Sequence, residues 1–515
     1  MNRKYPIGIQ SFENIRNEGY LYVDKTALIY QLVQTGKYYF LSRPRRFGKS
    51  LLLSTLQAYY EGKKELFDGL AMASLEKDWK TYPVLHLDLN AQRYDSVDSL
   101  TSILNDTLCE WERLYGTQES ETTLSLRFKG IIQRAAEKTG RNVVVLIDEY
   151  DKPMLQAIHN KELQSSYRNI LKAFYGVLKS KDAYLKFALL TGVTKFSKVS
   201  VFSDLNNIED ITLIRDFAGL CGISEEELYA TLSTDIQELA EATGMSYEDT
   251  CRRLKEQYDG YHFAERTSGM YNPFSLLNVL KSKQFRNYWF ETGTPTYLVE
   301  LLKENHYPLE HLTYEQATAD TLTGVDTVDS SPIPVLYQSG YLTIKDYDPE
   351  FETYTLGFPN KEVEEGFTRF LLPYYAHIRS GSSAFHIVNF VKEVRSGNID
   401  GFMKRLQSFF SDTPYELVRD LELHYQNVLF IIFRLVGFYT QAEYHTSEGR
   451  VDLVIRTDQF IYVMEFKLDG TAEEALQQIE EKQYALPFVS DSRRLFKVGV
   501  NFSNATRNIE KWLVR

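Results

Sequence analysis

The sequence has few cysteines and no excess of basic charge, and each shortage excludes a class of protein. Its three cysteines (Cys109, Cys221 and Cys251) lack CxxC spacing, which excludes a disulfide framework and a cysteine-rich zinc module. With 58 Lys and Arg against 70 Asp and Glu, the formal net charge is −12. This balance excludes a broadly basic nucleic-acid coat, although a local basic channel remains compatible with it.

Long apolar runs are also missing. No stretch approaches the roughly 18 apolar residues of a membrane span, and the best candidate, Val428 to Tyr439, is interrupted by Arg434. The first six residues, Met1 to Pro6, lead into no apolar signal core. The 515 residues, 43% of them hydrophobic and 25% charged, therefore predict a cytoplasmic protein of about two to four domains with no membrane partner.

The first half alternates strand-like and helix-compatible segments. Long stretches compatible with helices separate four short apolar runs: Tyr38–Leu41, Val84–Leu89, Val143–Ile147 and Tyr184–Leu190. Strands that alternate with helices are typical of a parallel sheet with crossover helices on both of its faces. We therefore expect an α/β first domain at 1–222.

The second half changes character twice. Residues 223–283 are rich in Glu, Leu and Ala and predict helices, and residues 334–344 read as a helix end followed by a short strand. We expect a mostly helical middle region with a winged-helix-like part at 223–383, followed by a second α/β domain at 384–515. The elements predicted in that last domain are a buried helix (426–438), two strands (450–455 and 461–467), a helix (471–484) and a strand (497–502).

The segment Ser42–Ser50, with sequence SRPRRFGKS, has the placement of a phosphate-binding loop. It follows the first strand and opens an apolar helix, so that backbone N–H groups and a helix N-terminus would face phosphates. Arg43 stands where the first glycine of G-x-x-x-x-G-K-[ST] would fall. The residues predicted to bind the nucleotide are Arg45, Arg46, Phe47, Gly48, Lys49 and Ser50, with Lys49 on the β- and γ-phosphates and Ser50 on Mg²⁺.

The third strand ends in two carboxylates that complete such a site. Asp148 would hold Mg²⁺ through water, and Glu149 would act as a catalytic residue that polarises the attacking water. Thr191, at the end of the next strand, would sense the γ-phosphate. The alternative is a buried strand whose terminal acids cap a helix, and the loop upstream favours the nucleotide site over it.

The arginines near this loop admit two interpretations. Arg43, Arg45 and Arg46 either approach nucleic acid or a neighbouring subunit's nucleotide, or take the place of glycine amides or pair with acids, and we favour the second. Arg215 is either an arginine finger or a surface ion pair, and a lone arginine favours the ion pair. The aromatic segments 258–263 and 271–274 stack on bases or pack a lid, and packing is the better expectation.

A second charged constellation lies near the C-terminus. The strands at 450–455 and 461–467 flank the short turn Thr457-Asp458-Gln459, and tight hairpin pairing places Asp452 opposite Glu465. Strand alternation places Glu465 and Lys467 on one face. Two carboxylates can hold one or two Mg²⁺ ions (or Mn²⁺) against a scissile phosphate, and a lysine can orient or deprotonate the water. A solvated ion-pair ladder is the alternative, and the apolar residues on both faces of these strands argue against it.

Two further polar residues are weaker candidates for this site. Glu422 precedes the buried helix and could complete a metal shell, and Gln478 lies on the next helix, where it could reach substrate or Lys467. Taken alone, each is more often a surface or capping residue.

Several stretches resemble known families. The segments Phe12–Arg16, Tyr20–Thr26 and Arg43–Ser50 resemble the AAA-ATPase-like proteins of bacteria and archaea, whose loop commonly reads RPRRFGKS. The segments Gly449–Asp452, Glu465–Lys467 and Gln478–Ile479 resemble the PD-(D/E)XK nuclease domain that often follows. The resemblance implies phosphodiester hydrolysis with Asp452 and Glu465 as metal ligands and Lys467 as catalytic lysine. The frequent Gln-x-x-x-Tyr motif of these nucleases is not reproduced, because Gln478 and Tyr484 lie six positions apart.

Together these features predict a P-loop NTPase sheet, a helical middle and a PD-(D/E)XK nuclease-like domain. The expected function is an ATP-binding ATPase fused to a Mg²⁺-dependent nuclease under nucleotide control. The habit of the nuclease superfamily alone favours DNA over RNA as the partner, and a homo-oligomer is compatible with the sequence. Two alternatives remain: a signalling or scaffold ATPase whose nuclease-like domain binds nucleic acid or protein without cutting, and a nuclease independent of ATP.

Overall fold

The structure is a computed structural model, and it describes residues 3–158, 160–195, 207–292, 296–323, 331–376, 383–411, 421–444 and 452–515. The chain forms two compact units. Unit 1 comprises Met1–Thr292 and Tyr314–Glu362, and unit 2 comprises Gly293–Thr313 and Val363–Arg515. The three-part division at 222 and 383 stays a prediction. In the described ranges, no helix is both long enough and apolar enough to cross a membrane.

Unit 1 contains a five-stranded parallel sheet with the strand order β2-β3-β4-β1-β5. Its strands are β1 (Tyr38–Ser42), β2 (Val84–Asp88), β3 (Val143–Asp148), β4 (Leu185–Gly192) and β5 (Glu209–Asp210). The four strands predicted from the sequence are confirmed, whereas the two-residue β5 is too short to leave a sequence pattern. Every residue of β1 and β3 is buried, because helices cover both faces of the sheet.

The helices of this α/β part lie before the first strand and between the following ones. They are α1 (Phe12–Asn17), α2 (Thr26–Thr35), α3 (Lys49–Tyr60), α4 (Ala71–Leu75), α5 (Val97–Tyr115), α6 (Leu124–Thr139), α7 (Lys152–Gln156) and α8 (Lys161–Ser180). Ser96 caps the N-terminus of helix α5, and its side chain accepts from the N–H of Ser99 in a reciprocal capping box. Because β1 and β3 run parallel in one sheet, their C-terminal ends lie at the same edge. The acids at the end of β3 therefore lie at the same edge as the loop between β1 and α3.

The middle of the chain is mostly helical, as predicted. Helices α9 (Glu225–Thr243), α10 (Tyr247–Tyr258) and α11 (Pro273–Ser282) share an apolar core, and β6 (Ile223–Ser224) pairs with β7 (Met270–Tyr271). Beyond them, a small antiparallel sheet forms in unit 1 with the order β8-β10-β9. Its elements are β8 (Glu315–Thr318), α13 (Ala319–Thr323), α14 (Ile333–Gln338), β9 (Thr343–Asp348) and β10 (Thr353–Gly357).

Unit 2 is built on a second five-stranded sheet, with the order β11-β12-β13-β14-β15. The strands β13 and β14 run parallel, and the other neighbours are antiparallel. Its strands are β11 (Gln441–Tyr444), β12 (Leu453–Arg456), β13 (Phe460–Leu468), β14 (Arg494–Ser503) and β15 (Asn508–Val514). Its helices are α12 (Thr296–Glu304), most of α15 (Lys361–Tyr375), α16 (Ser383–Ser396), α17 (Ile399–Ser411), α18 (Leu421–Gly437) and α19 (Ala472–Glu481).

The predicted order helix, strand, strand, helix, strand is confirmed by α18, β12, β13, α19 and β14. The strands β11 and β15 were not predicted. In β15 the sequence NIEKWLV mixes polar and apolar residues, and only Ile509 is fully buried, so that the alternation of a half-buried strand is lost.

Candidate nucleotide and nuclease sites

The loop between β1 and α3 has the backbone geometry of a phosphate-binding turn. Gly48, the residue before α3, has φ +97°, a conformation that costs glycine little because it lacks a Cβ. Arg46 has φ +69°, also in the left-handed region. Helix α3 begins at Lys49, directly after this turn, so that its free N–H groups open towards the loop.

The loop lysine is held by the backbone of its own loop. Lys49 is 5% exposed, and its Nζ donates to the carbonyl oxygens of Arg43 (3.0 Å) and Pro44 (3.2 Å). The ammonium group therefore already lies inside the turn.

The acids at the end of β3 lie beside the end of β4. The Thr191 hydroxyl donates to Asp148 Oδ1 at 2.7 Å, and the N–H of Glu149 donates to the same oxygen at 3.0 Å. Glu149 has φ +50°, an uncommon conformation for a side-chain-bearing residue, and the chain turns away from the strand there. Because β3 pairs with β4 in a register that sets Ile147 against Leu190, the structure brings Asp148 and Thr191 together.

A cavity of about 450 Å³ opens in front of the loop. Five of the predicted residues line it, namely Arg45, Arg46, Gly48, Lys49 and Ser50, and so does Glu149. Segment 6–10 and the start of α11 form its other walls. The Phe47 side chain does not line it; the ring is buried against Tyr261 and Phe263, at centroid distances of 4.7 and 5.2 Å.

The sequence analysis missed two contributors to this region. Lys152 lines the cavity, and its Nζ donates to the carbonyl oxygen of Asn90 at 2.7 Å. Asp151 is buried, and its Oδ2 accepts from the N–H groups of Val193 (3.1 Å) and Thr194 (2.6 Å). Burial raises the pKa of Asp151 to about 6. The signal that would have found both residues is their position directly after the acidic strand end.

The structure shows the contacts of two arginines for which the sequence allowed more than one interpretation. Arg215 forms an ion pair with Glu265 at 3.2 Å, which is the interpretation that the sequence favoured. Arg43 does not line the cavity, and its described hydrogen bonds go to backbone carbonyl oxygens. The expectation that Arg43 serves as a phosphate ligand or pairs with an acid is therefore wrong for its side chain.

The second constellation assembles on the hairpin of β12 and β13. Leu453 pairs with Met464 and Val454 with Val463, so that the register continues to Asp452 opposite Glu465, as predicted. The N–H of Phe466 donates to Asp452 Oδ2 at 2.8 Å, which fixes that carboxylate at the mouth of the hairpin.

A glycine allows α19 to approach this sheet closely. Gly499 of β14 pairs with Glu465 of β13. A Cβ at Gly499 would lie 2.2 Å from the carbonyl oxygen of Ala472 and 2.7 Å from the N of Leu476, both in α19. Only a residue without a side chain permits this contact, and the next turn of the helix is thereby held over the charged end of β13.

Gln478 of α19 joins the two charged side chains of β13. Its Nε2 donates to Glu465 Oε1, and its Oε1 accepts from the Nζ of Lys467. Lys467 Nζ lies 3.5 Å from Glu465 Oε1. The structure therefore brings Gln478 to Lys467, although the sequence spacing left its role open.

Burial disfavours the ionised form of both carboxylates in this cluster. Glu465 is 2% exposed, and its Oε2 has no hydrogen-bond partner in the described part of the chain. Burial, together with the nearby charge of Asp452, raises the pKa of Glu465 to about 7. Burial raises the pKa of Asp452 to about 6, against the opposing effects of the Phe466 N–H and of Lys467.

These residues fit a hard divalent cation. Carboxylate oxygens are the ligands that Mg²⁺ and Mn²⁺ prefer, and the Oε2 of Glu465, which has no partner in the described part of the chain, could ligate such an ion beside Asp452. Within the described ranges, no three His, Cys, Asp or Glu side chains gather as a metal-ligand group. The side chain of Glu422 and residues 445–451 lie outside the described residues.

Comparison with known proteins finds two family matches, one in each half of the chain. Residues 6–202 match the family described as "Predicted AAA-ATPase", and residues 420–512 match the PD-(D/E)XK nuclease superfamily. The chain is 34% identical over 524 residues to an uncharacterized protein in the vnfD 5′ region of Azotobacter chroococcum mcd 1, with 99% of each chain covered. The ORC2 protein of Aeropyrum pernix, solved as ADPNP–ADP complexes, aligns with 65% of this chain and 88% of its own, at 13% identity and a TM-score of 0.23. The chain belongs to the AAA-ATPase-like family that carries a C-terminal PD-(D/E)XK nuclease-superfamily domain.

Proposed function

We propose that this chain is an ATPase fused to a magnesium-dependent nuclease that hydrolyses phosphodiester bonds, in DNA rather than RNA, under nucleotide control in the cytoplasm. The observation that carries the proposal is the buried Oε2 of Glu465, which has no described partner and lies in a cluster with Asp452 and Lys467. Burying such charges is costly, and a bound cation would offset the cost.

In the nuclease, each residue has a distinct task. Asp452 and Glu465 would hold Mg²⁺ or Mn²⁺, which supplies charge stabilisation for the scissile phosphate and a more acidic bound water. Lys467, whose side chain is 31% exposed, can reach substrate and orient or deprotonate the water. Gln478 holds the lysine beside Glu465, as a positioning residue.

In the ATPase, the loop backbone and Lys49 would bind the phosphates in the 450 Å³ cavity. Ser50 and Asp148 would face Mg²⁺, Glu149 would polarise the attacking water, and Thr191 would act through Asp148. A smaller apolar cavity of about 100 Å³, lined by Tyr22, Val23 and residues 220–223, shares Gly48 and Pro273 with the larger one. A flat base fits such apolar walls.

The test incubates the purified protein with linear duplex, closed circular and single-stranded DNA, and with RNA, in Mg²⁺ or Mn²⁺. Each reaction is run with and without ATP, beside Lys467→Ala. Cleavage of DNA that is lost in the variant supports the proposal, and a change with ATP supports nucleotide control. Absence of cleavage under every condition contradicts the nuclease and favours a binding or scaffold role for unit 2.

Glu149→Gln separates ATP binding from ATP hydrolysis. The variant is expected to retain bound ATP, because the water-polarising carboxylate is gone while the loop is intact. Cleavage that is equal in this variant, in the wild type and without nucleotide would contradict control by hydrolysis.

A further inference from the structure

The phosphate loop departs from the general consensus at one position. Arg43 occupies the place of the first glycine, although its φ lies outside the left-handed region that would require glycine. The positive φ values of this loop belong to Arg46 and Gly48 instead. The backbone at position 43 is therefore compatible with a side chain, and the question is what that side chain does.

Arg43 is 1% exposed, and its guanidinium group donates to three carbonyl oxygens. Nη1 donates to Ser42 (2.8 Å) and Thr212 (2.9 Å), and Nη2 donates to Phe217 at 3.3 Å. The group also lies 4.2 Å from the ring centroid of Phe263, in a cation–π contact. One side chain thus joins β1, the segments after β5 and the aromatic segment after α10.

The backbone of Arg43 also makes hydrogen bonds that hold the loop. Its carbonyl oxygen accepts from the Nζ of Lys49 at 3.0 Å, and its N–H donates to the carbonyl of Gly192, at the end of β4, at 3.1 Å. A shift of residue 43 would therefore move the carbonyl that holds Lys49 and the contact with the strand that carries Thr191.

We propose that Arg43 is a positioning residue for nucleotide binding: its buried guanidinium fixes the start of the phosphate loop, and with it Lys49, without touching the nucleotide. The inference rests on the proposed ATP site of unit 1. Charge-assisted hydrogen bonds from a planar fork are strong and directional, which suits this task better than a flexible ammonium group. A displaced loop would carry Lys49 and the loop N–H groups out of line with the phosphates, and binding would weaken.

The decisive substitution is Arg43→Gly, because it restores the consensus G-x-x-x-x-G-K-S. Titration of the full-length protein with a fluorescent ATP analogue is expected to give a Kd that is about 10- to 100-fold higher than in the wild type, the size of effect expected when one charge-assisted contact is lost. Free guanidinium ion, added well below denaturing concentrations, is expected to restore part of the affinity in this variant and none in Lys49→Ala. Equal or tighter binding by Arg43→Gly would overturn the inference.

Two controls separate positioning from general stability. Ile132→Ala removes a buried side chain of α6, away from the loop, and is expected to lower the Tm while leaving the Kd unchanged. If Arg43→Gly does not fold, Arg43→Lys keeps the charge and loses the fork, and its Kd is expected to rise at a near-normal Tm. An unchanged Kd in Arg43→Lys would overturn the inference.

The wild type and Lys49→Ala distinguish failure of the proposed ATP site from failure of the role of Arg43. A wild-type protein that binds no nucleotide would overturn the proposed ATP site, and the role of Arg43 with it. Binding that is lost in Lys49→Ala and kept in Arg43→Gly would overturn the role of Arg43 alone and leave the ATP site standing.

Discussion

Both candidate sites place a lysine near carboxylates at the ends of buried strands, but different groups hold them. In unit 1, Lys49 donates to backbone carbonyls, and Asp148 accepts from a hydroxyl and from a backbone N–H. In unit 2, Lys467 and Gln478 bond side chain to side chain with Glu465, and one oxygen of that carboxylate has no described partner.

This difference predicts opposite responses to substitution. Removal of Lys49 leaves carbonyl oxygens of its own loop without their donor, which costs stability. Neutralisation of Glu465 removes the cost of a buried carboxylate charge beside Asp452, which raises the pKa of Glu465 to about 7, and this favours the folded metal-free state. Substitution of Lys49 is therefore expected to impair nucleotide binding and to lower stability. Substitution of Glu465 is expected to abolish the nuclease site and to raise the stability of the metal-free protein.

The largest expected effect is on cleavage. Glu465→Gln should reduce the rate of DNA hydrolysis by about 10³-fold or more, because a metal ligand contributes several kcal/mol to the stabilisation of transition-state charge. A nuclease assay in Mg²⁺ measures this rate. The matched control is Glu473→Gln, an exposed carboxylate of α19 that pairs with Lys511, and it should cleave normally. Normal cleavage by Glu465→Gln would refute the assigned metal site.

Next in size is the loss of nucleotide affinity in Lys49→Ala. The Kd for ATP should rise about 10- to 100-fold, because charge-assisted contacts contribute roughly 1.5–3 kcal/mol each. The Tm should fall as well, since the carbonyls of Arg43 and Pro44 lose their donor. Lys64→Ala, an exposed lysine beyond α3, is the control for charge alone. A Tm equal to that of the wild type would weaken the contrast between the two sites.

A smaller effect is expected at Gln478. Gln478→Ala should lower cleavage about 10- to 100-fold, as is usual for groups that orient metal ligands, and should shift the pH profile of the rate, because the environments of Lys467 and Glu465 change together. Gln477→Ala provides a matched control, because Gln477 is exposed on the same helix and bonds only within it to Glu481. Equal loss in both variants would indicate a general effect on α19.

The smallest expected effect is on stability as a function of pH. Glu465 has a folded-state pKa of about 7, above its ordinary value of 4.5, so that the folded state holds the proton over this interval and the unfolded state releases it. Stability of the metal-free protein should therefore fall as the pH rises from about 4.5 to 7, and the loss is complete above 7. Thermal unfolding in a chelator measures this slope, and Glu465→Gln should flatten it. A steeper slope in the variant would contradict the assignment.

Much of both sites could be predicted because short-range rules fix it. Strand alternation and a tight turn determine the pairing of Asp452 with Glu465, and a buried strand followed by a glycine-lysine-serine loop determines where Lys49 lies. The remainder depends on contacts between distant segments. Gln478 reaches Lys467 only because Gly499 admits α19 close to the sheet, and Arg43 reaches Thr212 across 169 positions. A local sequence pattern cannot predict contacts between residues so far apart in the chain.

The division of the chain has a consequence for its synthesis. The chain leaves unit 1 after residue 292, returns at 314 and leaves again at 363, so that residues 293–313 are made before unit 1 is complete. Their partners come much later: Asn427 accepts from the N–H of Leu309 at 2.8 Å, 118 residues downstream. At roughly 5–20 residues per second, a ribosome takes on the order of 6–24 s to reach that asparagine. During this interval the buried Leu309 and Leu312 have no finished core to enter, so this short excursion leaves apolar side chains exposed on the nascent chain until α18 is made.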